Sequence, residues 1–324
     1  MRSFEQLQEL FTHYLHEKKL PDTTSGLYRP INHIMDMGGK RIRPLLCLIS
    51  CQMFTPEVEK ALPPALAIEF FHNFTLVHDD IMDNAPLRRG YQTVHTQYGV
   101  NAAILSGDAM LIKTYEFLCE SPKNCLPALL RTFNQTALDV CEGQQMDMNF
   151  ENEQQVSMPQ YLRMIELKTA VLLAAALKMG AIAGGARTPD AMQLFEFGRN
   201  IGIAFQLQDD LLDTFGEPGK TGKQTGGDIL QNKKTFLLIK ALETAGKEQR
   251  TILQHWLAAK RFQPNEKIAA VTDVFEQLGV KDAAKSTMQQ YYNLAFEHLN
   301  HVSGNNEMHR LLTDLTRQLM NRQW

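Results

Sequence analysis

The sequence predicts an all-α protein, and three observations lead to that prediction. Apolar side chains recur every three or four residues along most of the chain, as at Phe4, Leu7 and Phe11, which is the period of a helix buried on one face. Runs that alternate apolar and polar residues, as half-buried strands do, are absent from the sequence. Glycine and proline breakers separate the periodic stretches, so we expect about a dozen helices packed as a bundle.

Composition and charge exclude several classes of protein. With 44% hydrophobic and 21% charged residues among 324, the chain can bury a large core and is not disordered. Its 33 basic and 36 acidic residues give a net charge of −3 spread along the chain, which argues against a nucleic-acid partner. The five cysteines include no CxxC pair, which is typical of a reducing compartment. We therefore expect a cytoplasmic protein.

Neither of two candidate targeting segments predicts a membrane location. Glu5, Glu9 and His13 interrupt the apolar residues near the start of the chain, so a signal peptide is not expected. Residues 169–186 are mostly apolar, but Lys178 lies in their middle, and their alanine and glycine content makes them weakly hydrophobic. We interpret this segment as a tightly packed core helix and expect no membrane span.

One motif, DDxxD, occurs twice. The first acidic motif is residues 79–83, and the second acidic motif is residues 209–213. Each copy ends an apolar helical run, and a breaker follows it, Pro86 after the first and Gly216 after the second. Both motifs are therefore expected in the last turns of long helices.

The spacing within each acidic motif suits a divalent cation. The first and last aspartates lie four residues apart and share one helix face, while the second lies about 100° round the helix. Two like charges about 6 Å apart at an effective dielectric near 20 repel by roughly 2.8 kcal/mol, which a cation would relieve. Oxygen-only ligands favour Mg²⁺ shared with phosphate oxygens. An acidic helix end exposed to solvent is the alternative for one copy alone, whereas two matching copies favour the metal.

Basic residues near these motifs predict a diphosphate ligand. The segment GGKRIRP at residues 38–44 is a glycine turn that leads into an apolar helix, where cations and free N–H groups can meet an anion. Arg88 and Arg89 follow the first acidic motif, and simple neutralisation of Asp83 is the alternative. The glycine-rich, basic loop at residues 222–228 could close over a substrate or could be a solvated connection.

Taken in order, these segments resemble the trans-isoprenyl diphosphate synthases, the polyprenyl synthetase family that includes farnesyl and geranylgeranyl diphosphate synthases. The resemblance runs from about residue 25 to residue 240, and the remainder carries no signature of its own. The matching segments are GGKRIRP at 38–44, His72, DDIMD at 79–83, LRRG at 87–90, GDAML at 107–111, GQQMD at 143–147, Lys168 with Thr169, FQLQDDLLD at 205–213 and GKQTGGD at 222–228.

The resemblance implies a fold and a reaction. The implied fold is a single-domain helical bundle over residues 1–324, usually a homodimer, with the two acidic motifs facing each other across a central cavity. The implied reaction joins isopentenyl diphosphate head-to-tail to an allylic diphosphate held by three Mg²⁺ ions. Departure of diphosphate leaves an allylic carbocation, which the isopentenyl double bond attacks.

The resemblance also implies roles for individual residues by their positions in the motifs. The implied metal ligands are Asp79, Asp83 and Asp209, and the implied supporting residues are Asp80, Asp210 and Asp213. The residues implied to hold the allylic diphosphate are Arg88, Lys168, Lys223 and Lys233, with Thr169 and Gln206 near the substrate and Gln206 closest to the reacting carbons. The residues implied to hold the diphosphate of isopentenyl diphosphate are Lys40, Arg43, His72 and Arg89.

Product length depends, by the same resemblance, on residues just before the first acidic motif. Phe74 lies five residues before Asp79, about 7.5 Å along the helix axis, and Phe71 lies on a similar face one turn deeper. Thr75 beside it is small. An aromatic residue at this place implies a farnesyl or geranylgeranyl product. The alternative is that these phenylalanines are ordinary core side chains.

Three other functions fit less of the sequence. A helical metal-dependent phosphohydrolase could use His72, His78, Asp79 and a distant aspartate as its metal cluster. His72 alone is more typical of a core histidine, and this function leaves the second acidic motif unexplained. A class I terpene cyclase normally has a different second metal motif. A non-catalytic subunit of a heteromeric synthase would be expected to lose aspartates or basic residues, and none is missing here. We therefore predict a Mg²⁺-dependent trans-prenyltransferase.

Overall fold

The computed structural model describes residues 1–21, 26–216 and 226–320, and over these residues the chain is almost entirely helical. The predicted all-α fold is confirmed. The α-helices are α1 (Phe4–Glu17), α2 (Tyr28–Asp36), α3 (Ile42–Gln52), α4 (Leu62–Met82), α5 (Val94–Tyr98), α6 (Val100–Cys119), α7 (Leu126–Asn152), α8 (Met158–Ile165), α9 (Val171–Ala183), α10 (Thr188–Phe215), α11 (Gly227–Leu230), α12 (Phe236–Thr244), α13 (Lys247–Ala258), α14 (Pro264–Gln277), α15 (Val280–Asn300) and α16 (Asn306–Met320).

Short elements between the long helices bring the count of α-helices in the described residues above the expected dozen. Helices α5 and α11 have only five and four residues. A 3₁₀ turn at Val58–Ala61 precedes α4, and a π-helical turn at Glu166–Ala170 joins α8 to α9. The π-helical turn carries two residues that the sequence analysis assigned to substrate binding, Lys168 and Thr169.

A small β-hairpin follows the first acidic motif and was not predicted. Strand β1 (Leu87–Arg88) pairs antiparallel with β2 (Tyr91–Gln92), with Leu87 opposite Gln92. The two residues between the strands, Arg89 and Gly90, have φ angles of 53° and 82°, as a type I′ turn requires. Strands of two residues are too short to show an alternating pattern, so no strand could be predicted here.

The chain divides into two compact units. Unit 1 comprises Met1–Gln135, Ala175–Phe195 and His301–Thr313. Unit 2 comprises Thr136–Ala174, Glu196–Asn300 and Asp314–Trp324. The first acidic motif belongs to unit 1 and the second to unit 2.

Helix α4 is the central buried helix of unit 1 and ends in the first acidic motif. Phe70 and Phe71 are almost completely buried along it. Glycine at position 107 of α6 lets that helix approach closely, because a Cβ there would lie 2.2 Å from Nε2 of His78 on α4. Close packing therefore fixes the acidic end of α4 against α6.

Unit 2 surrounds the acidic end of α10 with apolar side chains. Leu207 and Leu211 of α10 are fully buried and belong to one cluster with Phe236 of α12 and Phe275 of α14. The aspartates of the second acidic motif therefore project from a helix that is packed along most of its length.

The apolar segment at residues 169–186 is a packed helix, as predicted. It forms the end of the π-helical turn and α9, where Ala174 and Ala176 are fully buried. Lys178 turns its ammonium over the ring of Phe195, 5.3 Å from the centroid. Among the described residues, none of the helices combines the length and the apolar character needed to cross a bilayer.

Candidate active site

The first acidic motif occupies the C-terminal end of α4, as predicted. Its second aspartate, Asp80, is 1% exposed and accepts three hydrogen bonds from Arg88. Nε of Arg88 donates at 3.0 and 2.8 Å to the two carboxylate oxygens, and one terminal nitrogen donates at 2.7 Å. Arg88 thus neutralises Asp80 in a bidentate pair, not Asp83 as the sequence alternative supposed. Asp79 is half-buried and Asp83 is exposed.

The second acidic motif lies in the last two turns of α10, again as predicted. Its second aspartate, Asp210, is 4% exposed and is held by neutral donors. The hydroxyl of Tyr161 donates to it at 2.5 Å, the side-chain amide of Gln206 at 3.2 Å and the backbone N–H of Phe236 at 3.2 Å. Burial raises the pKa of Asp210 to about 7, and the hydrogen bonds from Tyr161 and Gln206 oppose that rise.

The last aspartate of the second motif, Asp213, is hydrogen-bonded to the backbone at the start of α11. Its carboxylate accepts a hydrogen bond at 3.0 Å from the backbone N–H of Asp228, and its carbonyl accepts one at 2.6 Å from that of Gly226. Asp213 therefore supports the geometry of this segment as well as carrying charge. Asp209 is half-buried, two turns before α10 ends.

The acidic side chains fit a magnesium site completed by a ligand. They offer only carboxylate oxygens, which Mg²⁺ prefers, and no cysteine lies in either motif. Over the described residues, neither unit brings three acidic, histidine or cysteine side chains together as a ready-made metal site. Mg²⁺ is typically held by one or two carboxylates together with water and phosphate oxygens, so the few carboxylates at each helix end fit this ion.

A cluster of arginines surrounds His72 in unit 1. Arg43 approaches it at 3.2 Å from a terminal nitrogen to Nε2, and because a guanidinium can only donate, Nε2 of His72 accepts. Burial, with the charges of Arg43 and Arg89 next, lowers the pKa of His72 well below its usual value. The imidazole is therefore neutral. Burial likewise lowers the pKa of Arg43 to about 10, and Nε of Arg43 is buried without a hydrogen-bond partner.

The glycine turn before α3 is shaped to receive Arg89. The guanidinium of Arg89 donates to the carbonyl of Gly38. A Cβ on Gly39, whose φ is +127°, would lie 2.9 Å from a terminal nitrogen of Arg89. Arg41, also left-handed at φ 48°, ends this turn. Glycine is therefore required at position 39 both for its backbone conformation and for the contact.

The arginine cluster carries more positive than negative charge. Arg41 pairs with Glu69, which is 2% exposed, and also donates to the carbonyl of Met35. Arg88 pairs with Asp80.

The four arginines of the cluster all lower the pKa of His72 through their charge. They are Arg41, Arg43, Arg88 and Arg89. A half-buried region with surplus cations and an unpartnered guanidinium nitrogen favours an anion as its ligand. Lys40 is exposed beside this cluster in the sequence.

The π-helical turn presents Lys168 and Thr169 in unit 2. Nζ of Lys168 donates to Oδ2 of Asp147 at 2.5 Å, and the hydroxyl of Thr169 donates to Oε1 of Gln206 at 3.3 Å. Glycines on the flanking helices make room for the turn. A Cβ at Gly143 would lie 2.3 Å from the backbone nitrogen of Lys168, and one at Gly202 would lie 2.5 Å from a Cα in the same turn.

Two predicted cations remain, Lys223 in the glycine-rich loop at residues 222–228 and Lys233 after it. The side chain of Lys233 is 54% exposed, and its ammonium lies 3.7 Å from a carboxylate oxygen of Asp228. Lys223 falls outside the described residues. Its proposed role therefore stays a prediction.

The phenylalanines before the first motif form an aromatic row on α4. The ring of Phe74 lies 5.6 Å from that of Phe71 and 4.8 Å from that of His78, measured between centroids. Phe71 is buried against Phe133, whereas Phe74 is only half-buried. The hydroxyl of Thr75 donates to the carbonyl of His72. Phe74 is thus the more accessible of the two candidate residues.

Sequence reasoning missed three side chains that secure this site. Tyr161 holds Asp210, Asp147 holds Lys168, and Glu69 holds Arg41. Asp147 lies in the segment GQQMD at residues 143–147, and Glu69 is an isolated charge in an apolar run, so both could have been recognised as candidates from the sequence. Tyr161 could not, because nothing near it in the sequence marks its partner.

The phosphohydrolase alternative finds no support in the histidines. His72 faces Arg43, and Nε2 of His78 lies 3.3 Å from the carbonyl of Ile104. Neither is joined with Asp79 in a metal-binding group among the described side chains.

Comparison with known proteins places the chain in a family. The model of the polyprenyl synthetase family matches residues 24–278, a span that contains both acidic motifs. The geranylgeranyl diphosphate synthase of Sulfolobus acidocaldarius is 36% identical over 286 residues, which cover 87% of this chain and 86% of that protein. The geranylfarnesyl diphosphate synthase of Aeropyrum pernix is 35% identical over 302 residues, which cover 90% and 92% of the two chains.

A solved structure agrees with these relatives. A crystal structure of a geranylgeranyl pyrophosphate synthase matches with a TM-score of 0.95 at 43% identity and covers 100% of both chains. Matches of this length and identity, joined to two acidic helix ends and a cluster of arginines, show that the chain belongs to the polyprenyl synthetase family, whose members depend in general on Mg²⁺, and is a trans-prenyltransferase.

Proposed function

We propose that this trans-prenyltransferase condenses isopentenyl diphosphate with an allylic diphosphate to give geranylgeranyl or farnesyl diphosphate. The observation that carries the proposal is the common build of the two helix ends. In each motif the second aspartate is buried and hydrogen-bonded, while the first and last lie on a different face. The names of the relatives support a prenyl diphosphate product.

The metal ligands in this proposal are Asp79, Asp83 and Asp209, which would hold three Mg²⁺ ions when the allylic diphosphate is bound. When bound, Mg²⁺ would neutralise the charge that develops on departing diphosphate. Asp80 and Asp210 act as supports, since their oxygens are already engaged by protein donors. Asp213 supports the segment that leads to Lys233.

The cations proposed for the allylic diphosphate are Arg88, Lys168, Lys233 and Lys223. Two of them are held in place by a carboxylate, Arg88 by Asp80 and Lys168 by Asp147. Such pairs limit the rotamer freedom of long side chains, so less entropy is lost when substrate binds.

The group proposed for the diphosphate of isopentenyl diphosphate is Lys40, Arg43, His72 and Arg89. Arg43 offers a buried Nε–H that has no protein acceptor. Arg89 is braced by Gly38. A neutral His72 adds no further positive charge but can orient Arg43 through their contact. This site therefore binds an anion through guanidinium groups without needing a metal.

The reacting carbons are proposed to lie near Thr169 and Gln206. The amide of Gln206 is fixed at both ends, since its Oε1 accepts from Thr169 and its Nε2 donates to Asp210. Its dipole is therefore oriented before substrate arrives, as stabilisation of a carbocation requires. No sequence motif marks a dedicated base, and released diphosphate is proposed to take the final proton.

Product length is proposed to be limited by Phe74, with Phe71 and Thr75 beside it. Phe74 is half-buried and braced by Phe71 and His78, so its ring cannot swing away without breaking two aromatic contacts. A braced aromatic ring can act as the floor of a hydrocarbon tunnel.

The enzyme is proposed to act as a homodimer through the exposed face of α6. Leu105 and Ile112, seven residues apart on this helix, are 60% and 62% exposed, and Val100 and Ile104 are exposed as well. The opposite face, with Ala103 and Met110, is buried in unit 1. A row of exposed apolar side chains on one helix face is typical of a protein interface, and self-association through a two-fold axis is the commonest kind.

Units 1 and 2 are proposed to belong to one catalytic domain that works in the cytoplasm. The match of one family model across both units supports a single domain. The free thiols of the five cysteines are compatible with a reducing compartment.

The proposal is tested by incubating the purified protein with Mg²⁺, labelled isopentenyl diphosphate and one allylic primer at a time. Dimethylallyl, geranyl and farnesyl diphosphates serve as primers, and chromatography separates the dephosphorylated products. We expect label in products of fifteen or twenty carbons, lost when a chelator removes the metal. Phosphate release without incorporation of label would contradict the proposal and would indicate a phosphohydrolase.

A further inference from the structure

Lys267 on α14 is a buried lysine whose partners are uncharged. It is 1% exposed, and its position carries no motif that the sequence analysis assigned to the site. Its ammonium donates to Oδ1 of Asn232 at 2.7 Å and to the carbonyl of Leu230 at 3.3 Å, and it lies 4.3 Å from the centroid of the Phe262 ring. Burying a cation is costly unless it is well hydrogen-bonded, so this lysine is suited to holding a specific piece of backbone.

The backbone that Lys267 holds is the end of α11. Helix α11 ends in a Schellman motif, in which the N–H of Lys233 donates to the carbonyl of Asp228 at 3.0 Å and that of Asn232 to Ile229 at 3.2 Å. Asn232 takes the left-handed position of this motif, with φ at 56°. Glycine usually occupies this position, so an asparagine here needs other contacts to stabilise it.

The side chain of Asn232 supplies those contacts. Its Nδ2 donates to the carbonyl of Leu257 at 3.2 Å, and its Oδ1 accepts from Lys267. Lys267 also satisfies the last carbonyl of the helix, that of Leu230, which has no partner within a helix of this length. Lys267 and Asn232 together therefore fix the turn.

Packing alone does not hold this turn. A small cavity lined by Asn232, Lys233, Lys267 and Trp256 lies against the turn. Because one side of the turn borders this cavity, the hydrogen bonds of Lys267 contribute more than they otherwise would to the direction of the chain after the turn. The residue that follows the turn is Lys233, with 54% of its side chain exposed.

We infer that Lys267 is a positioning residue for the allylic diphosphate. Its ammonium fixes the left-handed turn at Asn232 and thereby the direction in which Lys233 extends toward the substrate. This inference rests on the proposed function through the role of Lys233. Lys267 itself touches no substrate.

The test compares steady-state kinetics of four variants: Lys267→Met, Asn232→Gly, Lys233→Ala, and the double variant of Lys267→Met with Lys233→Ala. We expect Lys267→Met to raise the KM for the allylic diphosphate about tenfold, since a hydrogen bond from a charged donor is lost, with the KM for isopentenyl diphosphate changed less than about twofold. Asn232→Gly keeps the left-handed turn but removes the acceptor, so we expect a rise in the same direction.

The double variant separates positioning from general destabilisation. If Lys267 acts through Lys233, adding Lys267→Met to Lys233→Ala raises the allylic KM by less than about twofold. Lys178→Met is the matched control, because Lys178 is also a lysine held over a phenylalanine ring, and it should leave the allylic KM unchanged. Thermal melts accompany each variant, and Lys267→Gln replaces Lys267→Met if the latter does not fold.

Three results would overturn the inference. An unchanged allylic KM in Lys267→Met, while Lys233→Ala raises it, would remove Lys267 from the site and leave the proposed function intact. A tenfold rise that persists in the Lys233→Ala background would show that Lys267 acts by another route. An unchanged allylic KM in Lys233→Ala would overturn both the role of Lys233 in the proposed function and the inference built on it.

Discussion

The two acidic motifs have the same sequence pattern but secure their second aspartate in different ways. Asp80 is held by a charged partner, Arg88, through three hydrogen bonds. Asp210 is held by neutral donors, among them the hydroxyl of Tyr161. One motif thus contains an ion pair and the other a carboxyl whose pKa burial raises to about 7.

In both motifs the position of an aspartate determines which way its side chain points from the helix. The residues around it determine whether it lies in an ion pair, as Asp80 does, or among neutral donors, as Asp210 does. In both helices the second aspartate turns away from the other two, because it lies about 100° round the axis. Asp80 lies in an ion pair with Arg88, whereas burial raises the pKa of Asp210 and so favours its neutral form. The proposed metal ligands, Asp79, Asp83 and Asp209, are all first or last aspartates of a motif.

The largest expected effect concerns what the two motifs share. Asp79→Ala and Asp209→Ala should each lower kcat about 1,000-fold, since losing one metal ligand removes about 4 kcal/mol of charge stabilisation in the transition state. Single-turnover and steady-state assays measure this. Asp282→Ala, at an exposed aspartate in the first turn of α15, is the control and should keep the wild-type rate. Near-normal rates in both motif variants would contradict the proposed metal roles.

The next effect concerns what the two motifs do not share. Asp80→Asn should lower the free energy of unfolding by about 2 kcal/mol, because it leaves the largely buried guanidinium of Arg88 without its counter-charge. Asp210→Asn should cost only about 1 kcal/mol, since its partners are neutral and an amide oxygen can still accept from Tyr161. Urea denaturation measures both. Equal losses in the two variants would show that the environments are equivalent.

A third difference lies five residues before each motif, where α4 has Phe74 and α10 has Ala204. Phe74→Ala should lengthen the products by at least one isoprene unit, because it removes the proposed floor of the tunnel. Chromatography of the products measures this. Phe70→Ala is the matched control, since Phe70 is 2% exposed and packs on Phe117, and it should lower stability without changing product length. Unchanged products in Phe74→Ala would remove Phe74 from the account.

The smallest expected effect compares the two substrates. The proposed ligands of isopentenyl diphosphate lie in the arginine cluster of unit 1, whereas those of the allylic diphosphate include lysines of unit 2. Gly39→Ala should raise the KM for isopentenyl diphosphate about fivefold, because its Cβ would press on the guanidinium of Arg89, while the allylic KM stays constant. Gly38→Ala is the control, since φ is also positive there but the space around it is open. Equal effects of both substitutions would indicate backbone strain and exclude the contact with Arg89 as the cause.

The helices that carry the acidic motifs were predictable from sequence for a physical reason. Their apolar periodicity is long, and Pro86 and Gly216 stop the pattern soon after the acids, so both the helix type and its end were visible. The β-hairpin was not predictable from alternation, since its strands have two residues each. Its only local signal was the glycine at position 90.

The contacts that orient the site were largely not predictable. Tyr161 and Asp210 are 49 residues apart, and Lys267 and Asn232 are 35 residues apart, so tertiary packing alone brings each pair together. A single sequence shows which residues carry charge but not which distant side chain neutralises it. The pairing of Arg88 with Asp80 illustrates this, because Asp83 was an equally good candidate by spacing.

The central proposal is that Mg²⁺-dependent binding of the allylic diphosphate needs both acidic motifs. It is tested most directly by calorimetric titration of an unreactive allylic thiolodiphosphate, with Mg²⁺ present, into wild type, Asp79→Ala, Asp209→Ala and the double variant. If the motifs share one ligand, each single variant loses most of the Mg²⁺-dependent affinity, and the double variant loses little more. Independent, additive losses in the double variant, or wild-type affinity in either single variant, would contradict the account.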